Sequence, residues 1–134
     1  DAVIYGPFTA ALNDYMRNDL NYENELPYEI LTGKVHPWNW GSGERGYPNV
    51  ADKLREAMSK NQHLKVFVAN GYYDLATPFS ATEYTIDHLG IEPELHRNIS
   101  MKYYEAGHMM YIHKESLKVF TKDVQQFMIS AVPK

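Results

Sequence analysis

Two ionisable residues of this chain, Asp74 and His108, each follow an apolar segment after a gap of only a few residues. Asp74 stands in "NGYYDLATP", directly after "VFVA", and His108 stands in "EAGHMM", directly after "ISMKYY". An aspartate that accepts the Nδ1–H of a histidine fixes the tautomer of the ring and stabilises the imidazolium that forms when Nε2 takes a proton from a nucleophile. We therefore interpret the two residues as a candidate orienting acid and a candidate general base.

The segments around these residues follow the order helix, strand, helix, strand, helix. The run 64–69 is continuously apolar after Lys65, which is typical of a parallel strand covered on both faces, and a second strand is predicted at 99–104. Helices are predicted from Gly6-Pro7 to Met16, from Asn49 as N-cap to Met58, from the capping box of Ser80 and Glu83 to Gly90, and from Leu117 to Ala131. This order predicts an α/β fold with neighbouring parallel strands, whose carboxyl ends would bring Asp74 and His108 to one edge of the sheet.

Composition narrows the classes of function. The 134 residues carry a formal net charge of −4 with acids and bases mixed along the chain, which argues against nucleic-acid binding. No segment approaches the roughly 18 consecutive apolar residues of a membrane span, so we expect no membrane partner. The chain has no cysteine, and Glu105, His108 and His113 lie in a predicted loop without the helical register of a metal motif. We therefore expect neither a metal nor a cofactor.

Two short motifs, Gly-Tyr-Tyr-Asp at 71–74 and Ala-Gly-His-Met at 106–109, resemble motifs of the serine carboxypeptidase family of α/β-hydrolases, in a bacterial-looking form. In that family a strand ends in Gly-Asp-x-Asp, whose second acid is catalytic, and the catalytic histidine lies in Ala-Gly-His-Met. The histidine motif matches closely, whereas Tyr72 stands where the family usually has its first aspartate. The resemblance is best over residues 64–130. It implies that Asp74 and His108 are catalytic and that Met109 lines the pocket for the leaving residue.

The serine nucleophile that this resemblance implies is not found among the six serines of the chain. In α/β-hydrolases it stands in G-x-S-x-G, and Ser42 in "WGSGE" comes nearest but has Trp40 where glycine is required. Such a fold also needs about 200 to 250 residues as one unit. We therefore expect residues 1–134 to be a C-terminal fragment of an α/β-hydrolase catalytic domain with an incomplete sheet, in which 21–48 form an irregular, aromatic-rich loop. The isolated chain is expected to be inactive.

The expected function is that of the C-terminal part of a serine carboxypeptidase, which hydrolyses C-terminal peptide bonds and binds the peptide through its C-terminus. The other expected partner is the remainder of the parent enzyme or a second copy of the chain, because an unpaired strand edge recruits partners. The resemblance suggests a secreted or periplasmic location. Two alternatives remain open: a non-catalytic binding or interaction module on a degenerate hydrolase scaffold, and another α/β-hydrolase such as an esterase or aminopeptidase.

Overall fold

The computed structural model describes residues 2–30, 32–39 and 49–132. The chain divides into two compact units, Asp1–Gly46 and Tyr47–Lys134. Part of the loop expected at 21–48, including Ser42, lies outside the described residues.

The first unit begins with helix α1, Ala2–Asp14, which continues into a π-helical turn, Tyr15–Asp19. Helix α1 begins earlier than the start at Gly6 predicted from the sequence, and it contains Pro7 in its interior. Because proline has no N–H, α1 lacks one of its backbone hydrogen bonds there. Residues 20–30 and 32–39 contain neither helix nor strand, and no side chain described in this unit is buried. The described part of the first unit therefore has no core of its own.

The second unit is a mixed α/β structure built around two parallel strands, which confirms the predicted class and strand direction. In chain order its elements are α2 (Ala51–Lys60), β1 (Val66–Gly71), α3 (Phe79–Asp87), a 3₁₀ turn (Pro93–Asn98), β2 (Ile99–Tyr104), a second 3₁₀ turn (Met110–Ile112) and α4 (Lys114–Ala131). The strands pair in register from Val66 with Ile99 to Gly71 with Tyr104. Both strands thus end at the same edge.

Strand β1 lies two residues nearer to Asp74 than the sequence analysis placed it, at 66–71 instead of 64–69. Leu64 packs in the apolar core without joining the ladder, whereas Asn70 and Gly71 extend the ladder and are buried. The apolar run in the sequence identifies the buried residues, but the backbone pairing of β1 extends two residues beyond the end of that run. Asp74 is consequently only three residues from the end of β1.

The predicted helix ends were partly right. Gly90 follows α3 in the left-handed conformation with φ of 69°, as a helix end there requires. The N-cap of α2 is Val50 and not Asn49, although Asn49 Oδ1 accepts a hydrogen bond from the N–H of Ala51 at 2.9 Å. The capping box of Ser80 and Glu83 was wrong: α3 starts at Phe79 and has no side-chain cap. The Glu83 carboxylate is instead bonded to a tyrosine of β2.

Small apolar clusters cover the two strands in part, so that most strand residues are half-buried. Residues 66 and 99 pack on a cluster formed by Met58, Leu89, Ile91 and Leu95, and Ala69 packs on a second cluster formed by Tyr104, Ala106 and Met110. On the second face, the rings of Phe120 and Phe127 in α4 lie 6.3 and 5.3 Å from the ring of Phe67. Neither α4 nor any other helix in the described ranges combines the length and apolarity needed to cross a bilayer.

Gly71, the last residue of β1, is in close contact with the loop that follows β2. A Cβ atom at this position would lie 2.6 Å from the carbonyl oxygen of Ala106 and 2.5 Å from that of Gly107. The Ala106 carbonyl already accepts the N–H of Tyr73 at 3.0 Å. Because these are backbone atoms, only a residue without a Cβ lets the two site-bearing loops approach so closely.

We expect Gly71→Ala to destabilise the second unit by roughly 1–3 kcal/mol, because the added methyl group must displace backbone. The matched control is Gly107→Ala, whose Cβ would meet only the carbonyl oxygen of Tyr73 at an ordinary 3.8 Å. Its effect should stay within about 0.5 kcal/mol. Urea denaturation measures both variants, and an equal loss of stability in the two would contradict the close-contact argument.

Candidate functional site: an aspartate–histidine pair at the sheet edge

Asp74 lies in the tight turn that follows β1. Its N–H bonds to the carbonyl oxygen of Gly71 at 3.2 Å, and its Oδ1 accepts the N–H groups of Ala76 and Thr77, both at 2.9 Å. Its side chain is only 5% exposed. An aspartate commonly closes such a turn by bonding to the backbone two and three residues ahead. One carboxylate oxygen of Asp74 therefore has this structural task, and the other remains available.

The second oxygen, Oδ2, accepts two side-chain hydrogen bonds. The hydroxyl of Thr77 donates to it at 2.6 Å, and Nδ1 of His108 lies 2.8 Å away. Together with the two bonds to Oδ1, these contacts use about all four acceptor positions of a carboxylate. The hydroxyl and N–H of Thr77 lower the pKa of Asp74 most, and His108 and the N–H of Ala76 add to this, so that the pKa lies well below its usual range although burial opposes the shift.

His108 presents its two ring nitrogens to different surroundings. Since an ionised carboxylate only accepts hydrogen bonds, Nδ1 carries a proton towards Asp74, and Nε2 of the neutral ring has a free lone pair. The side chain is 63% exposed, and Nε2 is not bonded to any residue in the described ranges. The 2.8 Å between Nδ1 and Asp74 Oδ2 is an ordinary distance for such a hydrogen bond, and it brings the two residues together as the sequence predicted. This arrangement can remove a proton from a hydroxyl group placed opposite Nε2.

Met109 follows His108 directly and is half-buried, with its carbonyl accepting the N–H of Ile112 at 3.1 Å in the 3₁₀ turn. The next residue, Met110, is buried in the cluster with Tyr104 and Ala106. Met110 therefore anchors the loop in the core, whereas Met109 is only partly covered. Its role in binding a leaving residue stays a prediction.

Tyr72 occupies the position where the serine carboxypeptidase family, which the motif resembles, usually has an acid. Its side chain packs against other aromatic rings. Its ring stacks on Tyr103 at 5.6 Å, and Phe79 meets the two rings edge-on at 5.5 and 6.0 Å. The Tyr103 hydroxyl donates to Glu83 at 2.7 Å, and this bond, with burial, raises the pKa of Tyr103 to about 12. An aromatic ring at position 72 thus joins β1, β2 and α3 beside the candidate site.

No serine in the described ranges is hydrogen-bonded to His108. One serine does contact a different histidine: Ser116 Oγ lies 2.8 Å from Nδ1 of His113, at the start of α4. His113 is the N-cap residue of that helix and Ser116 is buried in its first turn, so the contact links two side chains at the start of α4. The part of the chain that is described also contains no cluster of three or more residues suited to hold a metal ion.

Thr77 is the site residue that the sequence analysis missed. Its hydroxyl bonds to Asp74 and lies 3.3 Å from Nδ1 of His108. The signal was present as Asp-x-x-Thr at 74–77, because Asp and Thr at this spacing often bond within one turn. Asp74 has both a turn-forming role, through Oδ1, and a contact with the histidine, through Oδ2.

The second unit is thus a small mixed α/β structure that carries a buried carboxylate and an exposed imidazole at one sheet edge. Searches against family models, curated proteins and solved structures find no match for this chain.

Proposed function

We propose that this chain supplies the aspartate and the histidine of a Ser-His-Asp triad in a serine carboxypeptidase with an α/β-hydrolase fold. The observation that carries the proposal is the 2.8 Å contact of His108 Nδ1 with Asp74 Oδ2, combined with an exposed Nε2. A fully hydrogen-bonded acid behind an open imidazole is what nucleophile activation requires. The parallel strands and the motifs at 71–74 and 106–109 support the family assignment.

In this proposal the serine comes from the remainder of the parent enzyme. His108 Nε2 accepts the proton of the serine hydroxyl as the oxygen attacks the carbonyl of the last peptide bond. The imidazolium, stabilised by Asp74, then protonates the leaving amine, so that the C-terminal residue departs and an acyl-enzyme remains. A water molecule then attacks the acyl-enzyme while His108 Nε2 accepts its proton. His108 returns that proton to the serine oxygen, which releases the shortened peptide as a carboxylic acid. Met109 would line the pocket of the departing residue.

The test is a substrate panel given to the longer protein that joins this chain to its serine. We expect release of single residues from a peptide with a free C-terminus, no release when that terminus is amidated, and complete inhibition by a fluorophosphonate. Labelling should fall on a serine outside residues 1–134, and the isolated chain should remain unlabelled.

Other outcomes separate the remaining possibilities. Cleavage of an aminoacyl anilide alone would indicate an aminopeptidase, and cleavage of short esters alone would indicate an esterase. A protein that turns over no substrate and takes no label would be a binding module on this scaffold. Stoichiometric labelling of a serine within the isolated chain would overturn the proposed division of the triad.

A further inference from the structure

The hydroxyl of Thr77 lies between the two members of the pair. It is 2.6 Å from Asp74 Oδ2 and 3.3 Å from His108 Nδ1, while the acid and the ring are 2.8 Å apart. We propose that Thr77 is a positioning residue, whose hydroxyl holds Asp74 Oδ2 in place as the acceptor for His108 and so fixes the ring. Its catalytic meaning rests on the proposed function.

The hydrogen-bonding capacity of each group sets the direction of the contacts. The threonine hydroxyl has one proton, which goes to the carboxylate at the shorter distance, so towards His108 its oxygen can only accept. The Nδ1–H of His108 therefore points at two acceptors, Asp74 Oδ2 and the more distant Thr77 Oγ1. A ring turned over by 180° would place a carbon-bound hydrogen there and lose both contacts. The hydroxyl thus favours one ring orientation, with Nε2 outward.

The turn itself does not need this hydroxyl. The backbone N–H groups of Ala76 and Thr77 already close it through Asp74 Oδ1. Thr77 is exposed, so a water molecule could accept the hydrogen bond of its hydroxyl in place of the carboxylate. Its bond to Oδ2 is also the largest of the contributions that lower the pKa of Asp74. The side chain of Thr77 therefore acts on the acid and the histidine, whereas its backbone shapes the loop.

The first test needs no enzymatic activity. In the full chain, Thr77→Val removes the hydroxyl and retains the shape of the side chain, and the carboxyl ¹³C signal of Asp74 is followed against pH together with the ¹⁵N signals of His108. We expect the pKa of Asp74 to rise towards its ordinary value and the Nδ1–H tautomer of His108 to become less populated. Thr77→Ser, which keeps the hydroxyl, should restore both signals.

Stability against pH provides a second readout. The folded-state pKa of Asp74 lies below its ordinary value of 3.8, so its ionised form stabilises the fold above that pH, and this contribution is lost as the pH falls through the folded-state value. Thr77→Val removes part of it. The difference in unfolding free energy between wild type and Thr77→Val should therefore be largest near neutral pH and should shrink as the pH falls below about 3.8.

The matched control is Thr85→Val, which removes a hydroxyl that bonds to the Ala81 carbonyl inside α3 at 2.8 Å. It should leave the titration of Asp74 and the tautomer of His108 unchanged. If Thr77→Val does not fold, Thr77→Ala removes the same hydroxyl with less bulk. The inference is overturned if the hydroxyl-free variant matches wild type in both spectra, or if Thr77→Ser behaves like Thr77→Val.

In the longer protein, Thr77→Val should lower kcat by roughly ten- to hundredfold with little change in KM, as expected for one bond to a charged group. Thr77→Ser should recover most of kcat. Altered spectra in a protein without peptidase activity would refute the proposed function and leave the positioning role intact. Unaltered spectra in an active peptidase would refute the positioning role of Thr77 and leave the proposed function intact.

Discussion

Asp74→Asn in the longer protein should lower kcat by about four orders of magnitude and leave KM nearly unchanged. The turn dictates how the amide sits: the N–H groups of Ala76 and Thr77 require an oxygen at the Oδ1 position. The NH₂ group then occupies the Oδ2 position and points at His108 Nδ1. Since Nδ1 must now accept a hydrogen bond, the proton moves to Nε2, where it prevents uptake of the serine proton.

Three further variants sharpen this expectation. Asp52→Asn removes an acid whose side chain is 78% exposed in α2, where it pairs with Arg55, and it should retain activity within about twofold. His108→Ala should lose at least as much activity as Asp74→Asn, and the double variant should be no worse than His108→Ala, because triad members act as a unit. Steady-state kinetics on a peptide substrate measure all four proteins. Strictly additive losses, or an Asp74→Asn enzyme with a tenth of wild-type kcat, would contradict the triad.

The isolated chain should not persist as a monomer at micromolar concentration. Within the described ranges, β1 and β2 pair only with each other, so each strand has an unpaired edge. Parallel sheets this small are rare, because unpaired backbone groups and partly covered strands are unstable in water. The second unit also exposes large apolar side chains in its loops and along α4: Leu75, Tyr73, Tyr111, Ile112, Val119, Met128 and Ile129.

Sedimentation velocity tests this expectation directly. We expect species heavier than the 15.5 kDa chain, and under the proposed function their loss when the serine-bearing remainder is added. Met128→Lys should reduce the association because it places a charge next to the exposed side chain of Val132, four residues further along. Gln126→Lys, at an exposed polar position on the other side of α4, should not. A monomer that unfolds cooperatively would show that the chain closes its own core.

The position of the candidate site could be predicted because it depends on two robust signals. Continuous apolar runs mark buried parallel strands, and residues just beyond two such strands meet at one edge. This suffices to place Asp74 beside His108. Predictions of local detail were wrong where a residue distant in sequence determines the structure. The Glu83 carboxylate bonds to Tyr103 of β2 instead of capping α3, and no sequence pattern within one helix reveals that contact.

The structural roles of individual glycines were also difficult to predict from the sequence. Gly90, which the sequence marks as the end of α3, has a positive φ among the described glycines. Gly71 matters for a different reason, the approach of another backbone segment, which only three-dimensional structure reveals. The role of Thr77 was missed for a similar reason. Its hydroxyl could donate a hydrogen bond to the backbone of the turn, to water or to the carboxylate, and which acceptor it uses depends on where His108 lies.

The parallel ladder determines which changes the chain can accumulate as it diverges. Val66 is paired with Ile99 and Gly71 with Tyr104, so Asp74 and His108 keep their separation only while the residue counts from each strand to its site residue are kept. An inserted residue within a strand would shift the ladder by about 3.3 Å, and one in either short loop would move Asp74 or His108 away from the 2.8 Å contact. Relatives should therefore replace side chains in these two segments far more often than they gain or lose residues there.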